Sequence, residues 1–166
     1  MKTRLFILGL LIVGSVILLQ RREVRVFWLL ITRECRTCDL QGVELVGKDL
    51  QGANLQEANL SGANLSETNL AQANLLNASL QQADLSLVNL MGANLQNTDL
   101  RGANLSGASL IRSNLRQADL KGSSLIFAEL TEADLTGADL RQAELHGTNL
   151  TGAQLQEAVM PDRKQR

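Results

Sequence analysis

The chain has 166 residues, of which 45% are hydrophobic and only 2% aromatic, so any core must consist mainly of Leu and Ala. Its net charge of −1 conceals three unequal parts: residues 1–36 are net +5, residues 37–160 net −8 and residues 161–166 net +2. The chain has no nucleophile elbow, Walker A sequence or dinucleotide fingerprint, which excludes the enzyme classes that those motifs define.

The apolar segment 5–19 contains fifteen residues without a charge and has basic residues on both sides. A helix of that length spans about 22 Å, short of the ~30 Å hydrocarbon core. Local thinning of the bilayer and snorkelling arginines can close that gap. No small-residue cleavage site follows the segment, which argues against a cleaved secretory signal. We predict a membrane-anchor helix over residues 1–20, with a cleaved signal and a soluble cap as the alternatives.

Basic residues are more numerous after this segment than before it. Because basic flanks stay on the cytoplasmic side, their distribution favours a single-pass protein with its C-terminal part in the cytoplasm. The competing groups before the segment are the free amine, Lys2 and Arg4, and those after it are Arg21, Arg22, Arg25, Arg33 and Arg36.

Residues 21–34 show a helical apolar pattern. Val24, Phe27, Trp28 and Ile31 are spaced i, i+3, i+4 and i+7, which places them on one face. We predict a short amphipathic capping helix that packs this face on the repeats described next, because the open end of a repeat structure needs a cover. The alternative is a helix that lies on a membrane surface.

From Leu40 to Leu155 every fifth residue is Leu, which gives 24 consecutive leucines, and Cys35 and Met160 extend this register by one unit at each end. Five residues advance an α-helix by about 500°, which would spread the leucines around its circumference. On a strand, an odd spacing sends alternate leucines to opposite faces. A chain that turns by about 90° every five residues directs each Leu to a common axis. Four units then close a square coil of twenty residues, and successive coils stack about 4.8 Å apart.

The other positions of each unit agree with this geometry. The residue two before each Leu is usually Ala, which is small enough for an interior already filled by Leu, and Lys48 departs from that rule. We expect the Lys48 ammonium to reach solvent or the capping helix. The residue just before Leu is usually Asn, Asp, Ser or Glu, and the residue two after it is often Gly, which suits turns.

These units, seen in "GANLSGASL" and "GADLRQAEL", resemble the A-(D/N)-L-x-G consensus of pentapeptide-repeat proteins. The entry "LLITRECRTCDLQGVEL" resembles members from photosynthetic bacteria that carry an N-terminal hydrophobic segment. The resemblance covers residues 35–160 and implies an all-β solenoid, a right-handed quadrilateral parallel β-helix of about six coils preceded by N-terminal helices. Residues 161–166 form a basic tail beyond it.

Residues twenty apart should lie directly above one another, which defines surface columns. Acidic and basic columns should run side by side, and some outward positions are apolar where polar residues are expected. These charged and apolar residues form either an ordinary surface whose charges neutralise one another or an interaction surface. They are Asp99, Arg101, Asp119, Lys121, Asp139, Arg141, Leu87, Met91, Ile111, Ile126 and Phe127.

No residue set predicts catalysis, a metal or a cofactor. Cys35 and Cys38 form a C-x-x-C pair, but both fall on inward positions of the register and are interpreted as core filler. They could form a disulfide only if the repeats are exported. The lone His146 lies five coils away, too far to complete a zinc site.

Three functional hypotheses remain. The first is a membrane-anchored, non-enzymatic scaffold for a protein partner, with a second copy as a candidate end-to-end partner, as dimers of the family imply. The second, also implied by the family, is a DNA mimic that binds type II topoisomerases; binding of nucleic acid itself is not expected. The third is an exported or lumenal structural element, which oxidised Cys35 and Cys38 would support.

Overall fold

The computed structural model describes residues 22–162, in which one α-helix, α1 (Arg22–Thr32), leads into a solenoid. Among these residues no helix has both the length and the apolarity to cross a membrane. The predicted anchor segment 5–19 and most of the basic tail lie outside the described residues.

The solenoid is built from isolated parallel β-bridges rather than continuous strands. Each bridge joins a residue to the one twenty positions later, from Glu34↔Asn54 at the start to Asp139↔Val159 at the end. Within each step, the amide of the central leucine donates to a carbonyl nineteen residues ahead, as from Leu95 to Asn114 at 2.7 Å. This twenty-residue period confirms the square coil predicted from the spacing of the leucines, because four units of five residues return the chain to the same column.

The core is a continuous stack of leucine and alanine. Every central leucine from Leu40 to Leu140 is buried, and the alanines two positions before them fill the space between. Serine or threonine replaces alanine in a few buried units, and each hydroxyl finds a carbonyl, as Thr68 Oγ1 does at Leu45 O (2.8 Å). The core therefore accepts a polar atom only where the backbone satisfies it.

The corners of the square use left-handed backbone geometry. The residue two after each central leucine has a φ between 54° and 70°, whether it is glycine, as at Gly102, or not, as at Gln72 and Leu87. The asparagines and aspartates before the leucines lie on the sides of the square and not in the turns. Their carboxamide or carboxylate oxygen accepts the amide hydrogen of the first turn residue, as Asn59 Oδ1 does from Ser61 (3.2 Å). The sequence therefore predicted their role at the turns but not their position.

Helix α1 covers the first coil with the opposite face from the one predicted. Leu29 is fully buried on the leucine stack, with Val26 and Leu30 packed beside it. By contrast, Phe27, Trp28 and Ile31 of the predicted packing face are exposed.

The rotation of α1 is held by two arginines, one on its inner side and one directly after its last residue. Arg25 donates to the carbonyl of Asp39 at 2.8 Å, and Arg33 reaches the Asp49 carboxylate at 3.1 Å. A leucine also fits the narrow square opening more readily than an aromatic ring does. Lys48, the predicted exception in the core, is exposed as expected.

Candidate interaction surface

A ladder of alternating charges runs along the C-terminal half of the solenoid. The bridges place Asp99, Asp119 and Asp139 directly above one another, as the twenty-residue rule predicted. The basic residue two positions after each aspartate lies beside it, and together the six residues define the charged ladder: Asp99, Arg101, Asp119, Lys121, Asp139 and Arg141.

The charged ladder is internally paired. Arg101 binds Asp99 through two hydrogen bonds of 2.9 and 2.6 Å, and Arg141 binds Asp139 in the same way. Lys121 Nζ lies between two levels, 3.2 Å from Asp119 Oδ2 and 3.1 Å from Asp139 Oδ2. The ladder is therefore a zigzag of contacts with no net charge.

These contacts favour the ionised form of two ladder carboxylates, Asp99 and Asp139. The hydrogen bonds from Arg101 lower the pKa of Asp99, and those from Arg141 and Lys121 lower the pKa of Asp139 well below its ordinary range. The hydrogen bonds that Lys121 donates to Asp139 and Asp119 in turn raise the pKa of Lys121. Each acidic residue of the ladder thus contacts at least one basic residue.

A second surface feature is the apolar corner, which consists of Leu87, Ile126 and Phe127. Leu87 and Phe127 are each 63% exposed and lie in one column with Gly107 between them. Leu87 lies flat over the backbone of Gly107, where its Cδ2 is 2.7 Å from the position that a Cβ would take. The Phe127 ring covers Gly147 in the same way and meets the edge of His146, with ring centroids 5.6 Å apart.

The neighbouring corner carries a smaller apolar feature. Met91 and Ile111 are stacked twenty residues apart, as predicted, and Met91 is exposed while Ile111 is partly buried. A shallow groove beside Met91 is lined by Asn69, Asn89 and Arg112, among others. The structure thus leaves both apolar features accessible, on adjacent corners of the square.

Two further ion pairs were not singled out from the sequence. Arg112 and Glu132 lie twenty residues apart and pair at 2.6 Å, whereas Arg116 and Asp134 are eighteen apart and pair at 3.1 Å. The column rule could have found the first pair. The second pair does not follow from the column rule, because it depends on the direction in which the Arg116 side chain extends across a corner.

The cysteines of the first coil are joined. Cys35 is buried and Cys38 partly buried, as the inward register predicted, and the two form a disulfide across a Cα–Cα distance of 5.3 Å. Their interpretation as core filler is therefore correct for position but incomplete for chemistry. Among residues 22–162 no group of three or more His, Cys, Asp or Glu side chains is arranged to hold a metal ion.

Repeating square coils and a continuous leucine core together define a β-helical solenoid protein. The model of the pentapeptide repeats matches the chain in eight copies over residues 34–70, 53–90, 89–126 and 128–160. The chain therefore belongs to the pentapeptide-repeat family, whose members are generally non-catalytic structural or interaction proteins.

Several solved structures are similar to this chain. The pentapeptide-repeat protein Rfr23 of the cyanobacterium Cyanothece 51142 is 28% identical, with a TM-score of 0.52 over 84% of this chain and 99% of that one. HetL of Nostoc sp. PCC 7120, which is involved in regulating heterocyst differentiation, is 38% identical over 80% of this chain and 66% of its own, with a TM-score of 0.41. The fluoroquinolone resistance protein QnrB1 is 20% identical, with a TM-score of 0.33 over 78% and 82%. A comparison with curated proteins finds no match.

Proposed function

We propose that this chain is a non-enzymatic scaffold, anchored in a membrane through residues 5–19, that presents a rigid side of its β-helix to a protein partner. The observation that carries the proposal is the placement of the leucine core and the exposed side chains. Leucine and alanine occupy most of the buried positions, whereas Leu87, Met91 and Phe127 are exposed at the corners. Such a surface is rigid before binding, which reduces the entropic cost of association.

The charged ladder is the polar part of the proposed binding surface. Because its charges already neutralise one another, it attracts no partner by net charge, but it can exchange its internal contacts for contacts with complementary charges on a partner. The apolar corner supplies the desolvated contacts that usually dominate binding energy.

A crosslinking pull-down of the full chain from its own membranes tests this surface. Asp99, Asp119 and Asp139 are changed together to Asn, and in a second variant Leu87 and Phe127 are changed to Ser. We expect both variants to lose the crosslinked partner, while Glu57→Gln, on a corner that carries neither the charged ladder nor an apolar feature, retains it. Unchanged capture by both variants would reject this side of the β-helix as the binding surface.

The disulfide bears on which side of the membrane the repeats occupy. Basic residues alone favour a cytoplasmic repeat domain, but groups on both flanks of the anchor compete. A disulfide, in contrast, persists in oxidising compartments and is rare in the cytosol. We therefore infer that the repeats lie on the oxidising side, in place of the cytoplasmic orientation expected from charge, and that residues 1–20, 21–34, 35–160 and 161–166 are anchor, cap, β-helix and tail.

Two measurements check this placement. We expect the full chain to float with membranes and to stay in them after carbonate extraction. Recovery in the soluble fraction would reject the anchor. Thiol labelling in denaturant without reductant should leave Cys35 and Cys38 unmodified, and labelling in denaturant after reduction should modify both. Free thiols in freshly isolated membranes would instead support a cytoplasmic location of the repeats.

The second candidate function is a DNA mimic that binds a type II topoisomerase. The observation in its favour is the composition of residues 37–160, where fourteen acidic residues outnumber six basic ones. The internal pairing of the charged ladder opposes it, because a mimic must present unpaired negative charge. Inhibition of gyrase supercoiling by the full chain in detergent would support mimicry, and its absence at high protein concentration would reject it.

A second copy of the chain is a further candidate partner at the C-terminal end. The last leucines, Leu145, Leu150 and Leu155, are only partly buried, and Val159 and Met160 are exposed. We propose that two such ends pack against each other. Light scattering of the full chain should then show a dimer that Leu155→Asp converts to a monomer; a monomeric parent chain would exclude it.

A further inference from the structure

Helix α1 is apolar on two opposite sides. Its inner side, centred on Leu29, closes the leucine stack. At about 100° per residue, Val24, Phe27, Trp28 and Ile31 fall within about 100° of one another on the opposite side, and they define the outer stripe. No charged residue of α1 falls within that sector.

The outer stripe has no cover in the described structure. Phe27 is 58% exposed, Trp28 42% and Ile31 60%, and the two aromatic rings contact each other edge to face with centroids 6.1 Å apart. A helix that is apolar on both sides is normally buried on both sides. The solenoid covers one side, whereas Phe27, Trp28 and Ile31 on the other side are exposed among the described residues.

We infer that the outer stripe lies in the interface of the lipid bilayer, so that α1 is at once the cap of the β-helix and its contact with the membrane. This inference rests on the proposed membrane anchor. It also fixes an orientation: since the inner side of α1 closes the end of the coil stack, the outer stripe points away from the rod, and the rod stands on the membrane rather than lying along it.

The length of the chain between the anchor and the stripe supports a lipid occupant. Leu19 ends the uncharged segment and Val24 begins the stripe, so five steps of extended chain separate them by at most about 17 Å. If residues 5–19 are anchored in the bilayer, this distance keeps the outer stripe close to the headgroup region. Exposed Trp and Phe side chains are the residues that favour this interface.

The chemistry of the ends of α1 is compatible with that position. Arg21 and Arg22 precede the stripe in the sequence, where basic side chains favour anionic headgroups. The inward arginines, Arg25 and Arg33, are already engaged by Asp39 and Asp49 of the first coil. Contacts with the solenoid thus fix the rotation of α1, and this rotation directs the aromatic residues of α1 outward.

Trp28 is the single tryptophan of the chain and therefore a direct reporter. The full chain is reconstituted in vesicles of phosphatidylcholine and phosphatidylglycerol, with and without bromine on the acyl chains. We expect Trp28 emission to shift to shorter wavelength relative to the protein in urea, to lose intensity with brominated lipid and to resist aqueous iodide.

A matched control moves the reporter to the other end of the rod. In the Trp28→Phe, Glu157→Trp variant the tryptophan lies on an exposed corner of the last coil, six coil spacings from the cap, about 29 Å away. Its emission should be quenched by iodide and unaffected by brominated lipid. Quenching of this variant by brominated lipid would overturn the upright orientation.

The outcomes separate this inference from the anchor itself. If the chain floats with vesicles but Trp28 is quenched by iodide and not by brominated lipid, the anchor stands and the lipid contact is rejected. If Trp28 resists both quenchers, a protein segment or a second copy covers the stripe, which also overturns the inference. A chain that does not float removes the anchor and, with it, this inference.

Discussion

Each central leucine in the middle of the rod is enclosed by four neighbouring sides of the square and by the coils above and below. Leu95 is fully buried, and its amide and the carbonyl it meets are part of the same hydrogen-bonded column. At this scale stability depends on volume, since a rigid stacked backbone cannot collapse around a missing side chain.

Replacing Leu95 by Ala should therefore cost about 2–5 kcal/mol of the free energy of unfolding, through lost transfer energy and a residual cavity. Chemical denaturation of the full chain in detergent measures it. The control is Gln96→Ala at the adjacent turn, which should lie within about 0.5 kcal/mol of the parent chain. A loss below about 1 kcal/mol at Leu95 would contradict its place in the core.

The turn glycines provide a second test at the residue scale. Gly147 and Gly42 both have φ near 60–70°, but a Cβ on Gly147 would lie 2.6 Å from Phe127 Cε1, whereas one on Gly42 would meet nothing within 4 Å. Both Gly→Ala changes incur left-handed strain of about 1 kcal/mol. Only Gly147→Ala also displaces the Phe127 ring from His146.

We therefore expect Gly147→Ala to lower the thermal midpoint more than Gly42→Ala. In a chain that already carries Phe127→Ala, the further change Gly147→Ala should lower the thermal midpoint by no more than Gly42→Ala lowers it in the parent chain. Equal effects of the two glycine substitutions would show that the ring does not rest on Gly147.

At the scale of the structural element, the repeated side of the square organises charges into a column. A spacing of twenty residues puts like charges directly above one another, which alone would be repulsive. The basic residue two positions later relieves this repulsion, because its long side chain reaches both its own level and the next, as Lys121 does between Asp119 and Asp139.

The lowered pKa values of Asp99 and Asp139 make this element sensitive to acid. A carboxylate whose folded pKa is depressed adds stability above its ordinary pKa of 3.8, and that stability is lost as the pH falls through the folded value. We expect the thermal midpoint of the full chain to drop below about pH 4. The drop should be smaller in the Asp99→Asn, Asp139→Asn variant, and identical acid profiles would contradict the pairing.

At the scale of the whole molecule, the two ends of the rod differ. Helix α1 covers the first coil, whereas the amides of Leu145, Leu150 and Leu155 in the last coil have no backbone partner among the described residues. Stacked solenoids gain stability from neighbouring repeats, so a terminal coil with fewer backbone partners among the described residues should be the least stable part.

Hydrogen exchange measured by mass spectrometry should therefore be fast in peptides from the last coil and slow around Leu95. Protection of the last coil that increases with protein concentration would indicate the end-to-end dimer. Equal protection at low concentration in the middle and in the last coil would contradict the uncovered edge.

The sequence by itself determined the period, the inward residues and the columns, because a leucine every five residues can be buried by only one regular backbone path. The same rule located the charged ladder and the apolar corners before any coordinates were known.

Tertiary structure decided what depends on rotation and reach. The outer stripe was recognised as a face, but its direction was fixed by Leu29 and by arginines that find partners in the first coil. The disulfide, the leaning of Leu87 and Phe127 over glycines and the bridging reach of Lys121 likewise depend on distances between residues that are remote from one another in sequence or lie across a turn. Local spacing specifies which residues share a side, whereas only the packed molecule determines which side is left for a partner or a membrane.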